Sequence, residues 1–305
     1  MKYHEQLKSI MLASGWSQEQ LAQTLKVSFA TLNSWINARS TPRAKATIAI
    51  EKLYLDTVGV ESVNAEALQS IKKESLSLKI TPERIADNKD LLDRLTLYLT
   101  YHTNTIEGST MTLSDVEEVL FEHKVLSNRT AVEQAEARNH QAALHWLLDE
   151  LVNRRDDFTI SVDFILGIHL RLMNGIISGA GQFRTHSVRI MGSRVTLANW
   201  PKIPDLLEEL VADIKNDNSD VIEKIANIHA RFERIHPFSD GNGRTGRLIM
   251  LAQALSAGLV PPLITKERKF AYYKYLELAQ TKEDYKPLEY FIAESMKFSD
   301  DLLKD

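Results

Sequence analysis

Apolar residues recur at spacings of three and four over much of the chain, which is the period of an amphipathic helix. The clearest run consists of Ile222, Ile225, Ile228, Phe232 and Ile235. It predicts a helix that ends just before His236, with His229 facing the core. An apolar stretch from Leu248 to Leu255 predicts a second helix, buried on most sides. Because most segments share this spacing, the pattern favours an all-α protein.

One short segment alternates apolar and polar residues with the period of a strand. The alternating apolar residues are Val188, Ile190, Val195 and Leu197. Gly192-Ser193 lies between the two halves, and a two-residue turn of this kind closes β-hairpins. The pattern predicts one short β-hairpin, which on these residues alone fits a plain surface hairpin.

The first 55 residues predict a separate small helical unit. Ser17 and Gln20 form a capping box, and Ser28 can cap a second helix after a short turn. The predicted inner faces are Leu21, Ala22, Leu25, Leu32, Trp35 and Ile36. This segment has seven Lys and Arg against three Asp and Glu, whereas the whole chain has a net charge of −4. A basic unit on an acidic body raises the question of nucleic-acid binding.

Length and composition limit the remaining classes. A chain of 305 residues can form two domains. It has no cysteine, which excludes a disulfide framework and a thiolate zinc site. The first residues do not resemble a signal peptide, and the most apolar run is too interrupted to span a membrane. We therefore expect a soluble, cytoplasmic protein with no membrane partner.

The richest stretch of chemistry is IHPFSDGNGRTGR, from Ile235 to Arg247. Gly241 and Gly243 allow a sharp turn, and the apolar stretch that follows predicts that the turn opens a helix. The N-terminus of a helix binds phosphate groups. Arg244 and Arg247 are three residues apart and share one face of the first turn. Because cations there oppose the helix dipole, the pair predicts a bound anion.

Two further residues of this stretch supply a base and a metal ligand. Asp240 precedes the turn, and a single carboxylate beside phosphates is a usual way to hold Mg²⁺. His236 has an ordinary pKa near ~6.5, so it can take a proton from an attacking hydroxyl at neutral pH. Together these residues predict transfer of part of a nucleoside triphosphate to a hydroxyl.

The stretch resembles the Fic-domain motif, HxFx(D/E)GNGRxxR, at every fixed position. Most Fic proteins transfer AMP from ATP to a Ser, Thr or Tyr hydroxyl of a target protein. The resemblance implies ATP and Mg²⁺, with His236 as the base, Asp240 at the metal and Phe238 in the core. It assigns the phosphates to Gly241, Asn242, Gly243, Arg244 and Arg247. The related Doc kinases lack this glycine pattern, so adenylylation is favoured over phosphorylation.

Upstream, the sequence TNTIEG from Thr103 to Gly108 is similar to the inhibitory motif of the family, (S/T)xxxE(G/N). The resemblance implies that Glu107 comes from a helix packed over the site and forms a salt bridge with Arg247. An arginine held by a carboxylate cannot also hold a γ-phosphate. On its residues alone, the stretch fits an ordinary helix end with Gly108 just past it.

Two further parts of the body are similar to the family. Gly181-Gln182-Phe183-Arg184 resembles the segment before a flap that holds the target by strand addition. The resemblance assigns the flap to Ile190, Met191, Gly192 and Ser193. It also places Tyr272, Tyr273 and Gln280 near the adenine and ribose, although Gln280 stands where the family often has Asn. The tyrosines fit core packing equally well.

The N-terminal unit is similar to Cro/repressor-type helix-turn-helix domains, whose second helix enters the major groove. The resemblance implies DNA contacts by Thr31, Asn33, Ser34, Asn37, Arg39 and Arg43. The alternative is a small bundle used for packing or dimerisation. A homodimer formed by the Fic body could present two such units to DNA.

We therefore predict an all-α protein with a short β flap. A helix-turn-helix domain occupies residues 1–55, a helical or loose connector 56–90, and a Fic domain with its inhibitory helix 91–305. The predicted function is a protein adenylyltransferase inhibited by Glu107, with DNA binding by the first domain. The alternatives are a de-AMPylase that uses the same site, and a DNA-binding regulator whose Fic domain senses nucleotide.

Overall fold

The computed structural model describes residues 2–60, 63–190, 192–216 and 220–304. The chain divides into two compact units. The first consists of Met1–Val63 and Glu267–Tyr275, and the second of Asn64–Lys266 and Leu276–Asp305. Within the described ranges, no helix combines the length and apolarity that a membrane crossing requires.

The first unit is built on the helices that the capping pattern predicts. Its helices are α1 (Tyr3–Ser14), α2 (Gln18–Thr24), α3 (Phe29–Ile36) and α4 (Ala44–Thr57). The capping box at Ser17 opens α2, and Ser28 caps α3 by accepting from the Thr31 N–H. The expected inner residues pack in one apolar cluster. The helix pair is therefore confirmed, while the predicted boundary at Leu55 falls inside the last turn of α4.

The second unit is a larger helical body. Its helices are α5 (Ala65–Leu76), α6 (Pro82–Ala86), α7 (Lys89–Ile106), α8 (Leu113–Leu120), α9 (Ala131–Arg154), α10 (Val162–Met173), α11 (Ile203–Asn216), α12 (Val221–Ile235) and α13 (Asn242–Ser256). Two more follow, α14 (Lys269–Lys282) and α15 (Lys286–Leu303), and the start of α14 belongs to the first unit. The stretch predicted as a connector contains the end of α4 and all of α5 and α6, so its described part is mainly helical.

The two helices that carry the motif pack directly against each other. The apolar run predicted for α12 is buried, and His229 is only 1% exposed, as expected of a core residue. Asp220 caps α12 by accepting from the Glu223 N–H. In α13, every residue from Arg244 to Leu255 is buried. The N-terminus of α13 therefore lies inside the body, beside the end of α12.

The predicted β-hairpin does not form paired strands among the described residues 188–190 and 192–197. Its turn is present, because the Ser193 N–H donates to the Ile190 carbonyl at 3.2 Å and Gly192 has a φ of 78°. Met191, part of the predicted flap, lies outside the described residues. A two-stranded hairpin gains little stability by itself. The ends of this segment instead accept hydrogen bonds from the Arg184 side chain, and the Ala198 N–H donates to the Arg234 carbonyl of α12.

A buried cation joins three helices of the second unit. Lys72 on α5 is 4% exposed, and its ammonium group forms salt bridges with Asp220 and with Glu289, the latter at 2.7 Å. Asp220 caps α12 and Glu289 lies on α15. The cluster thus fixes α5 and α15 to the helix that ends at His236.

We expect Lys72→Met to lower the free energy of unfolding by about 3 kcal/mol, because it leaves two carboxylates without their shared cation. Lys73→Met is the matched control, since Lys73 is exposed on the same helix, and it should change stability by less than about 0.5 kcal/mol. Urea unfolding of both variants, followed by circular dichroism, measures the difference. Equal stabilities would show that the cluster does not hold the unit together.

Candidate active site

His236 directly follows α12, in the left-handed region with a φ of 50°. Its N–H donates to the Phe232 carbonyl at 2.9 Å, which ends the helix. In the side chain, Nδ1 lies 3.2 Å from the Glu233 carbonyl oxygen. Because a carbonyl only accepts, Nδ1 carries the proton and Nε2 keeps the lone pair. The basic atom of the predicted base is therefore Nε2.

Several groups set the pKa of His236, whose side chain is 18% exposed. Burial lowers this pKa most, and the guanidinium of Arg184 lowers it further. The bond to the Glu233 carbonyl and the charges of Glu107 and Asp240 act in the opposite direction. The net shift is downward from the ordinary value of 6.5. His236 is thus neutral at pH 7, as a general base must be.

The turn before α13 requires its first glycine. Gly241 has a φ of 79°, and a Cβ there would lie 2.7 Å from the Met173 sulfur. The side chain of Asn242 makes two bonds of 2.9 Å, one with the N–H and one with the carbonyl of Phe238. This amide therefore closes the turn, and only the backbone of Asn242 remains for the predicted phosphate cradle. Phe238 is fully buried, as expected.

Arg247 is held by two residues of the predicted inhibitory motif. Its Nη2 lies 2.5 Å from Glu107 Oε1, and its Nε donates to Thr103 Oγ1 at 2.5 Å. The two partners are four residues apart at the end of α7, so they share one face. A Cβ on Gly243 would collide with Glu107 Oε1. The carboxylate therefore lies directly over the first turn of α13, and Gly108 follows the helix end with a φ of 114°.

Arg244 is held by a different helix. Its Nη1 donates to Glu136 Oε1 on α9 at 2.7 Å, and its Nη2 lies 3.6 Å from Asp240 Oδ1. Its side chain is only 3% exposed. Both arginines of the motif thus point into the body and meet carboxylates there. Sequence reasoning did not identify Glu136, because its partner is more than a hundred positions away along the chain.

Asp240 has the properties expected of a single carboxylate ligand. Its side chain is 61% exposed, and Oδ1 accepts from the Gly241 N–H at 2.6 Å. Among the described residues, no cluster of three or more acidic or histidine side chains could enclose a metal. One open carboxylate suits Mg²⁺, which takes its other ligands from phosphates and water.

Two buried groups near the motif were missed by sequence reasoning. His169 on α10 accepts from the Gly181 N–H at Nδ1, so its Nε2 donates to the Asp240 carbonyl at 3.0 Å. Its ring stacks on Phe238 with centroids 3.6 Å apart, and burial lowers its pKa to about 4. It therefore supports the turn as a neutral ring.

The second missed group is Glu233, one turn before His236. Burial raises the pKa of Glu233 to about 8, with Glu107 adding to the shift and Arg247 opposing it. A Cβ on Gly246 would lie 2.7 Å from Glu233 Oε1. The only available signal in the sequence was an acidic residue beside Phe232 in an otherwise apolar helix face.

The residues predicted to lie near adenine are placed in different units. Tyr272 is 1% exposed and Tyr273 is 40% exposed, with ring centroids 5.2 Å apart in the first unit. Gln280 belongs to the second unit, where its Nε2 donates to the Ala230 carbonyl at 3.1 Å. Their role at a nucleotide remains a prediction.

In the first unit, the predicted DNA-contacting side chains lie at the surface of α3 and the loop after it. Asn33 donates to Gln18 Oε1 at 3.0 Å, and Ser34 bonds to Ser40 at 2.7 Å. Asn37 is exposed, and its amide donates to the Asn33 carbonyl. The remaining predicted contacts are the partly exposed Thr31 and the exposed Arg39 and Arg43.

Comparison with known proteins agrees with both units. Residues 159–254 match the model of the Fic/DOC family, and residues 7–54 match that of a helix-turn-helix family. Protein adenylyltransferase fic-1 of Caenorhabditis elegans is 32% identical over 204 residues, which cover 65% of this chain and 39% of that protein. Protein adenylyltransferase Fic of Aedes aegypti is 30% identical over 246 residues, which cover 78% and 45%. This chain thus spans less than half of these relatives' length.

Solved structures show the same fold. A fragment of Fic-1 from Caenorhabditis elegans aligns with a TM-score of 0.67 and 23% identity, covering 93% of this chain and 84% of that one. A Fic family protein from Desulfovibrio desulfuricans G20 aligns with a TM-score of 0.61 and 23% identity, covering 79% and 74%. The chain therefore contains a Cro/repressor-type helix-turn-helix domain, which a Fic domain follows in the sequence.

We expect the imidazole of His236 to titrate with a midpoint below 6.5, because burial and Arg184 disfavour its charged form. In the neutral range its proton should reside on Nδ1. A pH titration of ring chemical shifts in histidine-labelled protein measures both properties, with His236→Gln used to assign the signal. A midpoint above 6.5, or a proton on Nε2, would contradict this description.

Proposed function

We propose that this protein transfers AMP from ATP to a hydroxyl side chain of a target protein, and that Glu107 restrains the reaction. One observation carries the proposal. Arg247, in the second turn of a buried helix, is held by a carboxylate from the C-terminal end of another helix. This is an anion site closed by an anion of the protein itself. The curated relatives named as adenylyltransferases support a nucleotide as the anion that replaces it.

The proposed chemistry uses groups already in place. Nε2 of His236 takes the proton of the target hydroxyl, whose oxygen forms a bond to the α-phosphorus of ATP. The bond from that phosphorus to the bridging oxygen breaks, and pyrophosphate leaves. Asp240 would hold Mg²⁺, which neutralises phosphate charge when bound. The N–H groups at the start of α13, with Arg244 and Arg247, bind the phosphates.

The proposed inhibition follows from competition for one guanidinium. Glu107 lies directly against Gly243, in the first turn of α13. A phosphate at Arg247 would need the same place, and two anions there would repel each other. Departure of Glu107 would therefore open the site for the outer phosphates. We further propose that the turn at Ile190–Ser193 holds the target, and that Gln280 lies near the adenosine.

We expect Glu107→Gly to label proteins, itself included, at least ~10-fold faster than the wild type, which corresponds to one lost charge-assisted bond. His236→Ala in that background should keep its affinity for ATP and lose labelling. The assay supplies ATP labelled at the α-phosphate, Mg²⁺ and cell lysate. ATP labelled at the γ-phosphate is the control, and adding the variant should raise its labelling no higher than in lysate alone.

Three results would revise the proposal. Equal labelling by wild type and Glu107→Gly would remove Glu107 from the mechanism. Labelling by the double variant at the parent rate would require another base. Label from the γ-phosphate above the level of lysate alone would indicate that the protein is a kinase. Labelled target should also be returned to the wild-type protein, because release of AMP there would favour the de-AMPylase alternative, with Glu107 orienting water.

We also propose that the first unit binds DNA. Its match to a helix-turn-helix family, its excess of positive charge and the exposed Asn37, Arg39 and Arg43 support this. Asn can read an adenine edge, and Arg can hold a phosphate. A homodimer would place two units at half-sites, so the full-length chain is the form to test.

We expect Asn33→Ala to reduce the preference for one sequence over another, because a lost base contact costs about 1–3 kcal/mol at a single position. Arg43→Ala should weaken binding to all sequences alike and reduce its salt dependence. Selection from genomic fragments, followed by binding curves at several salt concentrations, measures both. If the full-length chain enriches no fragment over competitor DNA, the unit is a packing or dimerisation domain.

A further inference from the structure

Arg184 is a buried cation whose hydrogen bonds to the described residues go only to main-chain oxygens. The residue is 3% exposed. Its Nε donates to the His236 carbonyl, its Nη1 to that of His186 and its Nη2 to that of Ala198, each at 2.7 Å. Nη2 also lies 3.4 Å from the Ile235 carbonyl. Burial lowers the pKa of Arg184, and no described carboxylate offsets it.

A cation without a counter-charge is costly inside a protein. A guanidinium can nevertheless satisfy several carbonyls at once, because its five N–H groups point in fixed directions in one plane. Those fixed directions constrain where the carbonyls that accept the hydrogen bonds can lie. Arg184 therefore fixes the positions of the main-chain carbonyls that accept its hydrogen bonds, and this role explains why a cation is buried here.

The bonded carbonyls belong to three separate stretches of chain. His186 and Ala198 stand at the two ends of the segment that contains the turn at Ile190–Ser193. The third stretch is the end of α12, at Ile235 and His236. Two main-chain bonds reinforce the connection: the Arg184 N–H donates to the Pro237 carbonyl at 2.9 Å, and the Ala198 N–H to the Arg234 carbonyl at 3.1 Å.

We propose that Arg184 is a positioning residue. Its hydrogen bonds hold both ends of residues 186–198, the segment with the proposed target-binding turn, to the backbone of His236. The proposal rests on the function proposed above. A hydroxyl carried by a bound target must meet Nε2 in a reactive geometry, and small misplacements of reacting groups are expensive. Because one side chain bonds to both the segment and the backbone of His236, the segment and the base keep a constant relative position.

Arg184 also acts on the base through its charge. Burial and Arg184 lower the pKa of His236, whereas the Glu233 carbonyl, Glu107 and Asp240 raise it. Replacing the guanidinium by a neutral group should therefore raise this pKa and move the acidic limb of the pH profile to higher pH. A lysine would keep the charge but lose the planar fork. The two substitutions thus separate electrostatics from geometry.

The first test needs no activity. Hydrogen exchange of the intact protein should show faster exchange of residues 185–199 in both Arg184→Gln and Arg184→Lys, with α13 unchanged. Arg234→Gln is the matched control, since it removes an exposed guanidinium two residues before His236. It should leave exchange as in the wild type. If Arg184→Gln does not fold, Arg184→Lys carries the test.

The second test is kinetic, in the Glu107→Gly background, on the purified protein that this background labels most strongly. We expect Arg184→Gln to lower kcat/KM for the target by on the order of 100-fold, with the Kd for ATP unchanged. Arg184→Lys should lose kcat/KM as well, but only Arg184→Gln should shift the acidic limb.

The outcomes separate the two proposals. Unchanged hydrogen exchange in residues 185–199 would overturn the positioning role of Arg184. An equal loss of ATP affinity and of target turnover would also overturn it, because it indicates a general structural role. If the Glu107→Gly protein labels nothing, the proposed function fails, and hydrogen exchange alone then decides whether Arg184 connects this segment to His236.

Discussion

The second unit is organised around one electrostatic constraint, which is two guanidinium groups buried at the positive end of a helix dipole. Arg244 lies in the first turn of α13 and Arg247 in the second, near the helix end where cations are disfavoured by up to about 1 kcal/mol each even at a surface. Burial without a partner would cost several kcal/mol more. Glu136 and Glu107 remove that cost. The helices that supply them, α9 and α7, must therefore pack beside this one point.

The two salt bridges, Glu136–Arg244 and Glu107–Arg247, differ in how easily the carboxylate can leave the arginine. Glu136 lies in the second turn of α9 and its side chain is 18% exposed, so it is fixed by the packing of a long helix. Glu107 is the cap residue that follows α7, and Gly108 after it has a backbone conformation that other residues rarely adopt. A residue at a helix end can leave by local fraying, which costs little compared with moving a helix. A removable carboxylate at Arg247 is therefore physically plausible in a way that one at Arg244 is not.

Much of this arrangement could be predicted from local sequence. Spacing predicted α12 and α13, capping residues predicted the starts of α2 and α3, and the resemblance to the inhibitory motif implied the pairing of Glu107 with Arg247. The contributions of Glu136 and Arg184 could not be predicted, because they join positions far apart in sequence and either residue alone is typical of a surface. The hairpin was overpredicted for a related reason: alternation signals a strand, but its partners here are side-chain and backbone groups of the body.

Glu233 shows how burial keeps the anion site available. Two carboxyl groups act on Arg247: Glu107 forms a salt bridge with it, and Glu233, which lies against Gly246, interacts with it electrostatically. If both were ionised, the guanidinium would be neutralised twice and would gain little from a phosphate. Burial raises the pKa of Glu233 to about 8, and the charge of Glu107 adds to that shift. With Glu107 in place, Glu233 is therefore largely neutral at pH 7, and the charge of Arg247 is balanced by the Glu107 carboxylate alone.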